Sequence, residues 1–417
     1  SQQFILFARV GDSAALEMAG IEDRNGNSIE FVRDAVGRLT SVKHADGTTL
    51  RVETTPAGML RALWLDGEAE PLVRYNYDKD DCLLNVVGAF TGVFHYGYSK
   101  EGWLNAWSDS GATKVDILYD DAGRVIGTHT GDGMFNDRFD YFPEARRSSY
   151  TDATGATTHF HYDANNLVTE EIDPLGGRTV SEWDGLERLQ RTIDAAGRET
   201  RFIHDDDGRV IMETDWAGRT AEWTYDRWGA LVAFKNVEGT TEWTRDRCGN
   251  VTRWKMADGS AGTARYNASG TLIGEQLAGS GATTWDVDTA GRPRVRHDPC
   301  GRTTHYGWDR YGRLVSLTDP AGRASHWSYE RSAANPRGAV SQARSPIGGE
   351  TTFTYDGEGL IASRTREDGQ TTRFVHGAFD TLRAVTDPLG ATTRFDYDGA
   401  GRLSAITDAA GHQWQFY

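Results

Sequence analysis

Cysteine is scarce in this 417-residue chain: Cys82, Cys248 and Cys300 are the only thiols, and they lie far apart. An odd number without close spacing supports neither a disulfide framework nor a zinc site built on cysteine pairs. Cys248 and Cys300 hold equivalent places in Asp-x-Cys-Gly turns, as tolerated turn residues. Methionine is sparse too, with 5 residues, and no apolar run approaches the roughly 20 residues of a membrane-spanning helix. Nothing after Ser1 has the layout of a signal peptide. Positive charge is in deficit. The 45 Lys and Arg against 61 Asp and Glu leave −16 at neutral pH, a surface that repels phosphate backbones and argues against a nucleic-acid partner.

The motifs that carry chemistry are missing as well. There is no Gly-x-Ser-x-Gly elbow, and Ser260 and Ser280 sit in Gly-rich turns with no nearby His to serve as a base. No phosphate-binding Gly-x-x-x-x-Gly-Lys-Ser/Thr loop accompanies the many Asp-x-x-Gly turns, and no Gly-Gly-x-Gly-x-Asp calcium repeat is present. His159 and His161 share a strand face, but two ligands do not make a metal site, and solvent-facing strand histidines are the plainer reading. Asp205-Asp206-Asp207 reads as a solvated turn, with weak divalent binding as the alternative. No residue draws a catalytic, cofactor or metal assignment.

What the chain has in abundance is glycine (48 residues) and aromatics (13 Trp, 16 Tyr, 16 Phe), a composition suited to many short strands and turns. Its length exceeds one ordinary hydrophobic core, which favours repeats. An aromatic–Asp step recurs at Tyr77-Asp78, Tyr119-Asp120, Tyr162-Asp163, Trp183-Asp184, His204-Asp205, Tyr225-Asp226, Tyr266-Asn267, Trp308-Asp309, Tyr329-Glu330, Tyr355-Asp356 and Tyr397-Asp398, mostly at intervals of about 21 residues. Each unit contains two Asp-x-x-Gly turns. The first follows the aromatic, as in Asp120 to Gly123, Asp226 to Gly229, Asp309 to Gly312 and Asp398 to Gly401. The second comes about ten residues later, as in Asp215 to Gly218 and Asp319-Pro320-Ala321-Gly322. Asp accepts hydrogen bonds from amides of its own turn, Pro presets φ, and Gly supplies φ > 0, which together make a hairpin connection.

Between turns run six or seven residues with a period of two: Ala221, Trp223 and Tyr225 on one face, Thr220, Glu222 and Thr224 on the other. An aromatic three residues before the Asp recurs from Phe31 through Trp223, Trp243, Trp285 and Trp327 to Phe395, so stacked hairpins would align these rings in a row along one sheet face. That row reads either as the packed side of a wall or as a platform for sugars. A Gly-Arg pair usually opens the second strand. Its Arg is expected to pair with turn carboxylates or stack on an aromatic, with anion binding as the alternative. The pattern weakens near 40–70 and 130–150, and residues 332–349, with two Pro, read as an exposed insertion loop. Some 36 strands at about 4.8 Å make a ribbon of roughly 170 Å, enough to wind about once around a protein-sized cavity.

The unit Tyr-Asp-x-x-Gly-Arg-Leu followed by Thr-Asp-Pro-x-Gly resembles the RHS (rearrangement hotspot) or YD repeat. Trp308 to Gly322 and Tyr397 to Asp408 match it closely, and the opening stretch Ile21 to Asn27 with Phe31 to Leu39 looks like the start of an RHS core. The resemblance covers nearly all of residues 1–417 and implies an all-β fold. Tandem hairpins would form one long antiparallel sheet that winds into a hollow shell, here a partial one. It further implies a non-catalytic scaffold that encloses a C-terminal toxin, the rest of the shell and that toxin being its partners. Export by a dedicated machine follows, often type VI secretion, with an N-terminal PAAR region docking on the VgrG spike and an Eag-type chaperone in attendance. Shells of insecticidal Tc-toxin C components and adhesive teneurins are the related alternatives. The family's closing motif, Asp-Pro-x-Gly-Leu-x-Gly-Gly-x-Asn, has no counterpart, since Asp173-Pro174-Leu175-Gly176-Gly177 is an ordinary turn. Trp414 to Tyr417 read as the first strand of a further hairpin, so the chain is expected to stop inside a repeat. The repeat positions taken to matter are Tyr119, Asp120, Gly123, Tyr162, Asp163, Trp223, Tyr225, Asp226, Gly229, Trp308, Asp309, Gly312, Asp319, Gly322, Tyr397, Asp398 and Gly401.

Overall fold

The computed structural model describes residues 3–9, 16–88, 92–332, 335 and 338–416. It contains 39 strands, from Gln3–Arg9 to Gln413–Gln415, in a single unclosed sheet. Each strand pairs antiparallel with its sequence neighbours, so the sheet is a meander of hairpins. Two one-turn 3-10 segments, Pro143–Ala145 and Ala378–Asp380, interrupt it.

The two edges of the ribbon differ. On the edge closed by aromatic–Asp turns, the register slips within the hairpin: Thr224 faces Ala233 but Tyr225 faces Leu231, which leaves Val232 as an extra residue. The same bulge recurs with Val315 between Gly307↔Ser316 and Trp308↔Leu314. On the opposite edge the pairing Met212↔Glu222, Glu213↔Ala221, Thr214↔Thr220 runs without a slip. A bulge bends its strand and strengthens the local twist. Placed on one edge, repeat after repeat, it curls the ribbon.

The curl brings distant turns together. Turns of the unbulged edge in the first half of the chain meet aromatic–Asp turns of the second half, at separations from 223 residues (Arg24 to Arg247) to 266 residues (Thr113 to Phe379). One coil therefore takes about 23 strands, or roughly 110 Å around and 35 Å across at 4.8 Å per strand. Inward side chains, taking half of the ~10 Å sheet-packing distance from each wall, leave a channel of roughly 25 Å. The 39 strands make more than one and a half coils, not the single winding expected from ribbon length, because curvature set by the bulges closes the coil sooner.

The wall is one sheet thick. Among the described residues the buried apolar side chains are Val52, Ala62, Trp64, Val115, Met134, Ala264, Ala378 and Ala405, several of them alanine. Cohesion must come from the ladder, the half-buried ring face and the turns. Rings at equivalent positions of successive hairpins lie two strands, about 9.6 Å, apart. The expected row of aromatics is therefore interleaved and not stacked: Trp223 meets Phe234 of its own hairpin at 5.4 Å, not Trp243.

Two further expectations need correction. Residues 332–349 are not one exposed loop: Gln342–Arg344 is a strand paired on both sides, and residues 345–349 are a normal turn. Asn335, only 2% exposed, ties the shorter connection together by donating to the carbonyls of Glu330 and Ala339 and accepting from the Ala339 amide. A buried amide that satisfies three backbone groups replaces the missing turn motif. Residues 333, 334, 336 and 337 of that segment, and Tyr417, lie outside the described residues. His159 and His161 are half-buried and not solvent-facing, because the strands of Arg147–Thr151 and Val168–Ile172 flank them. No cluster of three or more metal-ligating side chains occurs among the described residues.

Candidate functional site: the repeat joint and the coil seam

The turn residues build one joint many times over. Asp309 Oδ1 accepts from the amides of Tyr311 and Arg313, both at 2.9 Å, and its Oδ2 accepts from Arg313 Nε at 2.7 Å. Asp120, Asp319 and Asp398 accept the same three bonds, one from the amide of Ala122, Ala321 or Ala400 and two from Arg124, Arg323 or Arg402. Asp226 and Asp163 keep the two amide bonds without an Arg. Gly123, Gly229, Gly312, Gly322 and Gly401 all take φ between 76° and 79°, a conformation in which a Cβ is strained. Hydrogen bonds from the backbone and side chain of Arg124 hold the Asp120 carboxyl below its usual range, and those of Arg323 do the same for Asp319.

The Arg that follows Gly does what its position suggested: it pairs with the turn Asp and also stacks on the next repeat's aromatic. Arg209 lies 5.0 Å from the centre of the Tyr225 ring, and Arg313 lies 4.4 Å from that of Tyr329.

The aromatic of the step has a second task. The ladder between adjacent hairpins ends at Met212↔Glu222, so the Val210 carbonyl lies beyond it. The Tyr225 hydroxyl donates to that carbonyl at 3.1 Å. The same bond links Tyr119 to Leu104 and Tyr329 to Leu314 at 2.7 Å, Tyr397 to Leu382 at 3.0 Å and, at a longer 3.4 Å, Tyr162 to Arg147. Trp308 serves equally, its indole Nε1 donating to Pro293 at 2.7 Å. Arg245 substitutes a guanidinium, reaching Leu231 at 3.1 Å. Phe cannot make this bond, which explains a step built on Tyr and Trp. Each bond staples one hairpin to the one before it. Trp223 and Trp243, candidates for a sugar platform, are half-buried in the wall.

The joints are spread along the ribbon and do not converge on one point. Among the described residues, only the seam brings remote residues together. Arg24 donates to the Arg247 carbonyl and lies 5.1 Å over the Trp228 ring. Arg310 pairs with Glu68 and donates to the Asp66 carbonyl, both at 2.7 Å. Asp132 pairs with Arg383 at 3.2 Å. Phe135 packs edge-on against Phe379 of the later coil at 4.8 Å, while its amide donates to the Gly399 carbonyl at 2.7 Å. Sequence reading missed these residues. The one signal for Phe135 was the weakened repeat near 130–150, where a turn had given way to a seam contact.

Comparison with known proteins bears on the repeat and the fold. The RHS Repeat family model matches residues 146–178, 183–220, 287–324 and 378–413. The chain is 32% identical over 211 residues to the probable deoxyribonuclease RhsB of Dickeya dadantii (strain 3937), an alignment covering 50% of this chain and 14% of that protein. It is 26% identical over 213 residues to the double-stranded DNA deaminase toxin A of Burkholderia cenocepacia (strain H111), covering 51% of this chain and 12% of the relative. The chain thus spans a small part of the relatives it matches. Among solved structures, the TcdB2–TccC3 crystal structure superposes with a TM-score of 0.50 at 12% identity, covering 94% of this chain and 28% of that one. The likeness is one of fold. Repeat joint, unclosed all-β ribbon and family match agree: the chain is built of RHS, or YD, repeats.

Proposed function

We propose that residues 1–417 are one RHS-repeat core whose task is to form part of the wall of a shell enclosing a C-terminal toxic effector, without catalysing anything itself. The observation that carries this reading is the seam. A ribbon whose coils are stitched edge to edge forms a continuous barrier around a channel of roughly 25 Å, wide enough for an extended or partly folded polypeptide. An open solenoid, by contrast, would leave its edges free. The relatives support it, since one is named a toxin and another a probable deoxyribonuclease. The reading extends to export, with type VI secretion through a VgrG spike and an Eag-type chaperone as its more specific form and a Tc-type shell as the alternative delivery.

Limited proteolysis of the full-length gene product tests it. Toxin sequence behind the wall should resist protease until the seam is weakened, for instance by Phe135→Ala with Arg310→Ala. Equal cleavage of the toxin region in wild type and seam variant would sink the proposal.

A further inference from the structure

One seam contact differs in kind from the others. The turn Asp109 to Thr113 of the first coil sits on the turn Asp356 to Leu360 of the second, with Ser110 Oγ donating to the Gly357 carbonyl at 3.3 Å. Beside it the Phe379 amide donates to Thr113 Oγ1 at 2.9 Å, and Thr113 is 1% exposed. Elsewhere the seam joins opposite charges, Arg310 to Glu68 and Arg383 to Asp132. Here it sets two acids face to face: Glu358, 7% exposed, has its carboxyl against Gly111, within the turn whose amides Asp109 holds. The carboxyl of Glu358 lies flat on Gly111, where a Cβ would overlap it.

Two carboxyl groups brought together in a buried seam repel unless one carries a proton and donates it to the other. Asp109 is the acceptor. Its Oδ1 already takes the amides of Gly111 and Thr113 at 2.9 and 3.2 Å, bonds that favour its charged form. Glu358 is therefore the donor. The other ionisable groups facing it are Asp356 and Asp380 of the second coil, with His376 Nδ1 3.4 Å from Asp356 Oδ2. Among the described residues, no Lys or Arg pairs with Glu358, Asp109, Asp356 or Asp380 in a salt bridge.

The geometry points to a proton-operated latch between successive coils: protonated Glu358, seated on Gly111, holds Asp109 across the seam, and loss of its proton sets like charges against each other and parts the two turns. Burial, with the bond to Asp109 and that residue's charge, pushes Glu358 from 4.5 up to about 7. Its contribution is complete below pH 4.5 and is lost as pH rises through about 7. Asp109 is lowered despite its burial, by bonds from Thr113, Glu358 and Gly111, and its share is lost only as pH falls below 3.8. The latch thus holds in mildly acidic solution and slackens above neutrality. It concerns the seam alone and stands whether or not the shell holds a cargo.

Native-state hydrogen exchange of the Phe379 amide reports this contact directly. If opening exposes Glu358, the opening constant should be about ten-fold larger at pH 8 than at pH 6, after correction for intrinsic exchange. Glu358→Gln keeps a donor to Asp109 and removes the charge, so its Phe379 protection should vary less than two-fold over the same range. Asp109→Asn, which keeps the Oδ1 acceptor, should also flatten the profile. The amides of the Asp309 to Gly312 turn, which meets Glu68 further along the seam, are the internal control and should not respond. A wild-type profile that is flat, one that Glu358→Gln follows unchanged, or amides of the Asp309 to Gly312 turn that track Phe379 would each overturn the latch.

Discussion

Replacing Tyr329 by Phe removes one oxygen and leaves the ring, so it isolates the staple between hairpins. The hydroxyl donates to the Leu314 carbonyl at 2.7 Å, and burial pushes the phenol above its usual range, which keeps it a donor at any ordinary pH. The Arg313 guanidinium, 4.4 Å over the ring, still has a face to stack on. What is lost is one hydrogen bond, worth about 1 kcal/mol net, or roughly five-fold in the opening of the joint. Because contacts in the meander are with nearest neighbours, the loss should stay local. It should appear as faster amide exchange in Leu314–Thr318 and Ala324–Ser328, with hairpins two repeats away unchanged. Tyr329→Trp provides the decisive arm. The indole of Trp308 makes the same bond to Pro293, so Trp should restore most of the protection that Phe loses. The reasoning fails if Phe is silent, or if Trp is as damaging as Phe.

Other outcomes follow from the same geometry. Asp309→Ala strips two turn amides and the Arg313 guanidinium of their acceptor and should cost about 2–3 kcal/mol locally, read as proteolytic nicking within residues 309–313; Asp309→Asn should lose less than half as much. Phe135→Ala removes the ring from its place between Phe379 and Gly401 and should cost roughly 2 kcal/mol at the seam, measured as faster exchange of the Gly399 and Gly401 region, with hairpin amides elsewhere protected. Acid should act through the turns. The carboxyls of Asp120, Asp194, Asp215 and Asp319 are held below 3.8, so the stability they give is present above that pH and is lost as pH falls through their lowered values. Circular dichroism should therefore keep the sheet signal to about pH 4 and lose it below; an unchanged signal at pH 2 would contradict the turn's role.

How much of this was legible in the sequence depends on the distance over which each feature is decided. The turn at Asp309 to Arg313 was readable because five consecutive residues fix it, and strand faces were readable because side chains alternate. The function of Tyr329 was only half visible: its recurrence marked it, but its partner, the Leu314 carbonyl, is exposed by the end of a ladder that exists only once hairpins pair. The seam was not readable at all. Asp356-Gly-Glu-Gly looks like any other turn of the chain, and nothing local says that Glu358 will meet Asp109. That meeting depends on the coil's circumference, a sum of small bends over more than twenty strands. The non-repeating segments were the exception, since Phe135 and Asn335 both lie where the motif breaks down, and both turn out to be buried or docked.

The seam gives the ribbon the arithmetic of a toothed belt. In an open solenoid a repeat can be added or lost at little cost, because each unit touches only its neighbours. Here a whole repeat of about 21 residues inserted between Thr271 and Arg310 would leave every hairpin intact and yet displace all later teeth by two strands, roughly 9.6 Å. Arg24 would still face Trp228 and its neighbours, but Arg310 would slip past Glu68 and Glu358 past Gly111. The number of repeats in each coil is thereby held fixed by contacts that no single repeat contains, and variants that gain or lose a unit must do so where the belt has not yet met itself.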